Sequence, residues 1–166
     1  DMYHQYAPFY SELWHKLRTG DTLLYSWDIG MGVNFTSLFA YYLASPINWL
    51  IALLPQKYMI EIMNMLIVMK LCASSVTFSY YISKHFHTKK CTIALFGMFY
   101  ALSAYSAAYS WNIMWLDCIV LIPLIMLGLE KLVDENKCYL YCISLGLCIF
   151  TNYYISIMVC ISVCLY

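Results

Sequence analysis

The first groups with chemistry to offer stand together at Asp1, His4 and Gln5, and a second set, Trp27, Asp28 and Asn34, surrounds a turn containing Gly30 and Gly32. A carboxylate such as Asp1 can act as a general base or hold a divalent cation at a partly dry membrane surface, and is an ordinary solvated acid elsewhere. Asp117 follows Trp111, Asn112 and Trp115 and directly precedes the apolar run from Cys118 to Pro123. It reads either as a helix N-cap beside an interfacial aromatic belt or as a second acid facing the same cavity as Asp1. Lys70 lies near the middle of a long apolar run, where its desolvation must be offset. A cation there suits a phosphate or pairs with a carboxylate such as Glu61 or Asp117, and a purely structural ion pair fits it equally.

Other motifs carry less. His85 and His87, beside Lys89 and Lys90, lack a third ligand for a metal and read as a solvated turn. The eight cysteines all lie in or beside apolar runs without neighbouring histidine or carboxylate ligands, which predicts small apolar packing residues rather than a disulfide framework or a metal site. Asn34-Phe-Thr36 matches a glycosylation acceptor pattern too common to weigh. Nucleophile elbows, phosphate-binding glycine loops and dinucleotide fingerprints are absent.

The elements that must position these groups belong to a membrane protein. Hydrophobic residues make up 63% of the chain and charged residues 11%, against about 25% charged in soluble domains. Nine basic and nine acidic residues cancel, which leaves no basic face for nucleic acid. No leader pattern of basic, apolar and small residues opens the chain. A start at Asp1 and an end inside an apolar run predict a fragment of a longer protein.

Residues 8–18 place Phe9, Leu13 and Leu17 at four-residue spacing, with Glu12, Lys16 and Arg18 on other faces, which predicts a short amphipathic helix lying at the membrane interface and stopped by Gly20. Residues 22–34 read as an irregular loop. Residues 35–54, broken at Ser45-Pro46 and ended by Pro55, predict a second interfacial or re-entrant helical segment. Spans are predicted at 58–83, 91–109 and 118–133, and the stretch 138–166 is predicted to be two short helices meeting at a polar break around Asn152. This divides the chain into an extracytoplasmic loop, residues 1–57, and a membrane region, residues 58–166, of about four to five spans. Lys84, Lys89, Lys90, Lys131 and Lys137 fall in two short loops on one side and mark it as cytoplasmic. The opening segment, the 110–117 loop and the Asn152 break then converge on the extracytoplasmic side.

Asp1-x-x-x-Gln5-Tyr6-x-Pro8-Phe9, the turn Tyr25-Ser-Trp-Asp-Ile-Gly-Met-Gly32 with Asn34, the stretch from Tyr41 to Leu50, Trp111-Asn-Ile-Met-Trp-Leu-Asp117 and Asn152-Tyr-Tyr154 resemble the YfhO family of bacterial membrane proteins. That family is similar to the GT-C superfamily of polytopic glycosyltransferases. The resemblance implies an all-α transmembrane bundle with interfacial helices in the first extracytoplasmic loop, in a multi-pass protein of the bacterial cell membrane. It implies sugar transfer from a polyprenyl-phosphate donor to a cell-envelope polymer of the teichoic acid type on the extracytoplasmic face. Asp1 then takes the place of the essential acid of the first external loop, as base or as ligand of a divalent cation (Mg or Mn), and Asp117 that of a second acid. His4, Gln5, Trp27, Asp28, Asn34, Lys70 and Asn152 become substrate contacts, with Tyr41 and Tyr42 as further aromatic platforms. No DD or DE pair stands at residue 1, a departure from the superfamily pattern. A transporter or flippase of a lipid-linked substrate, or a non-catalytic membrane assembly partner, are the rival readings.

Overall fold

The computed structural model describes residues 2–87 and 91–166, so Asp1, Lys89 and Lys90 lie outside the described residues. Those described form an all-α membrane helical bundle of eight α-helices, with one small hairpin. Three helical stretches are long and apolar enough to cross a membrane, Gln56–His85, Thr92–Tyr109 and Ile113–Glu135.

Helix α1, Ala7–Thr19, has Pro8 in its first turn, where the missing N–H costs nothing. Gly20 ends it in a left-handed conformation (φ 75°), its N–H donating to the Lys16 carbonyl at 3.0 Å. Tyr10 and Leu13 point into a core shared with Phe35, Leu43, Ile51, Met63 and Ile113, so the opening segment and one end of the bundle bury one apolar surface together. Glu12 and Lys16, expected on a polar face, are buried. The chain after Gly20 folds back over that face. Lys16 Nζ donates to the carbonyls of Thr22 and Tyr25 and sits 3.5 Å from Glu12, which accepts a 2.6 Å hydrogen bond from Ser26 Oγ.

Residues 22–34 are more ordered than the loop their composition predicts. Strands β1, Tyr25–Ser26, and β2, Val33–Asn34, pair antiparallel with Tyr25 opposite Asn34. The return between them uses positive φ at Gly30 and Gly32. Gly32 also lies so close beneath the Tyr25 and Trp27 rings that a Cβ would collide with Tyr25. Asn34 then caps the short helix α2, Phe35–Leu38, accepting from Ser37 N at 3.4 Å. A π-turn, Phe39–Leu43, and a 3-10 helix, Pro46–Leu53, follow, broken at Ser45-Pro46 as that dipeptide predicts.

Helix α3, Met59–His85, is the long span. The next is divided into α4, Thr92–Ala101, and α5, Ala104–Tyr109, by extended backbone at Ser103, whose carbonyl receives the Ala107 N–H and restarts the helix. Helix α6, Ile113–Glu135, begins five residues before Cys118, the predicted start. Asp117 is therefore inside the helix and not its cap. The Trp115 N–H donates to the Asn112 carbonyl, which starts the helix ahead of Asp117.

Helices α7, Tyr139–Thr151, and α8, Tyr153–Leu165, meet at Asn152 as the polar break predicts. Asn152 is extended, and its Oδ1 caps α8 by accepting from Ile155 N at 2.9 Å. Each helix is about 20 Å long at 1.5 Å per residue, short of a hydrocarbon core of about 30 Å. Gly128 lets the α7 backbone approach at Tyr141, while Cys118, Ile125, Cys148 and Val159 fill the interior between α6, α7 and α8. Because α8 runs back antiparallel to α7, the Tyr166 hydroxyl reaches Glu130 Oε1, which also accepts from Tyr81 and meets His85 Nδ1 at 2.9 Å. His85 is thus paired with Glu130 rather than freely solvated, because the basic turn after α3 and the end of α6 share one end of the bundle.

Candidate functional site

At the opposite end, separate strands of the sequence meet as the span count predicts. Tyr6 Oη donates to Asn112 Oδ1 at 3.1 Å, and Asn152 Nδ2 donates to the Tyr41 carbonyl at 3.3 Å. Tyr41 stacks edgewise on Tyr42 and leans on Tyr153, and Gln5 Nε2 donates to Tyr42 Oη at 2.9 Å. Burial holds the Tyr6 and Tyr10 hydroxyls well above the ordinary tyrosine range, and the Asp117 carboxylate adds to the effect at Tyr10. Both remain neutral at physiological pH.

Beneath this layer lies a closed ionic network. Lys70 Nζ sits 2.7 Å from Asp117 Oδ2 and donates also to the Ile113 carbonyl at 3.1 Å and to Asn48 Oδ1 at 3.5 Å. Asp117 Oδ1 accepts from Ser45 Oγ at 2.9 Å. Lys70 is 0% and Asp117 5% exposed. An ammonium has three donors, and all three are engaged. As placed, Lys70 joins α3 to α6 and to the re-entrant segment and presents no free donor to a ligand. The sequence offered Asp117 as a partner beside Glu61 and a phosphate; it could not point to Ser45 and Asn48, which come from a segment more than 20 residues before Lys70.

The open part of this end is a groove along α1. One cleft of about 310 Å³ is lined by Glu12, His15, Asp21, Tyr25, Trp27 and Asp28 among others. A second, of about 330 Å³, shares Glu12, His15 and Asp28 with it and extends to Ser11 and Gln56, which hydrogen-bond to each other. Trp27 is 77% exposed and edge-on to Tyr25, 4.8 Å between ring centres, a flat apolar face beside carboxylates. His15 Nε2 lies 3.8 Å from Asp21 Oδ2. Trp27 and Asp28 were legible candidates from the sequence. Glu12, His15 and Asp21 were not, although Glu12 and His15 are three residues apart on one helix and so share a face.

The remaining predicted residues divide. His4 is exposed and packs edge-on against Tyr3; Asn34 spends its side chain as the α2 cap; Asn152 is fully buried as a cap and a link to Tyr41. Asp1 lies outside the described residues. Among the described residues no three His, Cys, Asp or Glu side chains gather as metal ligands, and Asp117 is already neutralised by Lys70. The described donor set does not fit a divalent cation.

The family model for the bacterial membrane protein YfhO matches residues 1–166, the whole chain. The chain belongs to the YfhO family. Comparison with curated proteins and comparison with solved structures each return no match. Within this YfhO chain, the groove along α1 is an open polar surface, and the buried Lys70–Asp117 network ties α3 and α6 to the segment that carries Ser45 and Asn48.

Proposed function

We propose that this YfhO chain belongs to a GT-C type membrane glycosyltransferase, which moves a sugar from a polyprenyl-phosphate donor to a cell-envelope polymer of the teichoic acid type outside the cytoplasm. The observation that carries this reading is the α1 groove. It is polar and carboxylate-lined, with an exposed tryptophan at one end, and it adjoins a cleft that carries exposed Ile60, apolar surface suited to lipid. A substrate with a lipid tail, a phosphate and a sugar needs such a boundary.

In this reading the acceptor hydroxyl attacks the anomeric carbon. A new carbon–oxygen bond forms, the bond to the donor phosphate breaks, the acceptor proton passes to a carboxylate, and the polyprenyl phosphate leaves as the anion. Asp1, which the family resemblance puts in the place of the essential acid of the first external loop, is the proton acceptor. Trp27 offers its face to a sugar and Asp28 a hydrogen-bond acceptor to its hydroxyls. Asp117 acts through Lys70 on the position of the re-entrant segment. A transporter built around Lys70 would need that ammonium open to substrate, and its three donors are engaged.

The test is sugar transfer by the full-length protein in a deletion strain, with wild type compared with Asp1→Asn and Asp28→Asn at equal membrane abundance. Loss of transfer in Asp1→Asn, with polyprenyl-phosphate sugar accumulating, supports the proposal. Undiminished transfer in Asp1→Asn removes the carboxylate mechanism.

A further inference from the structure

With Lys70 enclosed, the donor phosphate needs another cation. Four basic residues lie between the start of the chain and the middle of the first span: Lys16, Arg18, Lys57 and Lys70. Lys16 is buried and engaged with two carbonyls and Glu12. Arg18 Nε donates to the Ala52 carbonyl, and its guanidinium stacks on Trp14. Arg18 is exposed, but of the four Lys57 is the one without a hydrogen bond among the described residues. It is exposed too, and among the described residues its contact is a cation–π approach to Tyr58, 5.8 Å from the ring centre, with no carboxylate in ion-pair range.

Its position is equally particular. Lys57 opens the candidate span Gln56–His85 and lines a cleft of about 360 Å³ whose other walls include Ala7, Pro8, Ser11, Met59 and Ile60. That cleft shares Pro8 and Ser11 with the middle of the α1 groove, which in turn shares Glu12, His15 and Asp28 with the Trp27 end. The three clefts therefore adjoin one another along α1. The series runs from a lysine-bearing mouth beside exposed Ile60 to an acidic, aromatic end at Asp28 and Trp27. A phosphate is repelled by carboxylates and attracted to a lone ammonium, and a prenyl tail prefers the apolar surface of Ile60 at the mouth. The polarity of the groove thus fixes the direction in which a lipid phosphate lies in it.

We propose that Lys57 binds the phosphate of a lipid-linked phosphate at the membrane-facing mouth of the α1 groove, with the tail against Met59 and Ile60 and the head group directed toward Ser11, Gln56 and Asp28. Its assignment to a polyprenyl phosphate rests on the glycosyltransferase reading above. The same chemistry is available from an ordinary anionic phospholipid.

The experiment uses the full-length protein in detergent and titrates polyprenyl monophosphate and, separately, phosphatidylglycerol, reading binding by native mass spectrometry for wild type, Lys57→Ala and Lys57→Arg. Because Lys57 is exposed and its side chain holds no hydrogen bond, each variant should melt with the wild type. A charge-assisted contact to phosphate is worth about tenfold in affinity or more. The expected result is a loss of about tenfold for polyprenyl phosphate in Lys57→Ala, largely restored in Lys57→Arg, since arginine retains the charge. Equal affinity of wild type and Lys57→Ala for both lipids overturns the inference and leaves the glycosyltransferase reading standing. A Lys57-dependent affinity for phosphatidylglycerol alone, with no binding of polyprenyl phosphate by any form, retains the phosphate site and removes its donor.

Discussion

Replacing Lys70 by methionine leaves the Asp117 carboxylate buried with Ser45 as its remaining described partner, and replacing Asp117 by leucine leaves an ammonium that is 0% exposed. At an effective dielectric of about 20, unit charges at the 2.7 Å separation attract by about 6 kcal/mol, against a desolvation cost of several kcal/mol for each ion. Removing one member of such a pair costs about 3–5 kcal/mol, because the other charge stays behind without its counterion. The double variant Lys70→Met/Asp117→Leu removes both charges and leaves two neutral polar groups, the Ser45 hydroxyl and Asn48 Oδ1, short of a partner, a cost of about 1–3 kcal/mol. The assay is thermal unfolding of the full-length protein in detergent. Single domains of 150–250 residues shift by about 2–4 °C per kcal/mol, so each single variant should lose of the order of 10 °C and the double variant clearly less than either. The double variant recovering stability is the diagnostic, since unrelated losses would add. A Lys70→Met protein that melts with the wild type, or a double variant whose loss equals the sum of the singles, refutes the view that this pair holds α3 to α6.

Two further perturbations follow from the same end of the bundle. Tyr10 Oη faces Asn48 and Asp117 but no hydrogen bond reaches it from the described residues, so Tyr10→Phe should stabilise by about 1 kcal/mol. Burial raises its folded pKa above the ordinary tyrosine value of about 10, so the unfolded chain releases this proton first and stability is intact below that pH and falls as the pH rises above it. Tyr10→Phe should reduce that alkaline loss, measured as melting temperature against pH, and an unchanged profile would sink the account. Asn152→Ala removes the cap of α8 and the link to Tyr41, and should cost about 1–2 kcal/mol with protease sensitivity appearing first near the α7–α8 junction. Wild-type cleavage rates there would show that the break is held by other contacts.

Much of the architecture was legible in the chain because a bilayer imposes strong local rules. A span needs a long apolar run, and α3 has one; Gly20 ends α1, Ser45-Pro46 breaks the re-entrant segment, and Asn152 divides the tail because each acts through its own backbone or an adjacent N–H. Even the partnership of Lys70 with Asp117 was open to sequence reading, since a cation so placed requires a carboxylate. What the sequence could not decide is which polar groups stay in water. Glu12 and Lys16 carry the spacing of an exposed pair, yet the hairpin at 25–34 covers them and supplies carbonyls and Ser26. Asp117 reads as a helix cap until Asn112 starts α6 a turn earlier and Lys70 draws the carboxylate inside. Lys57 looks like any interfacial lysine until its three fellow cations prove to be engaged. Solvent exposure of a charge depends on the chain that folds across it, often from far along the sequence. Periodicity records only the helix on which that charge is carried.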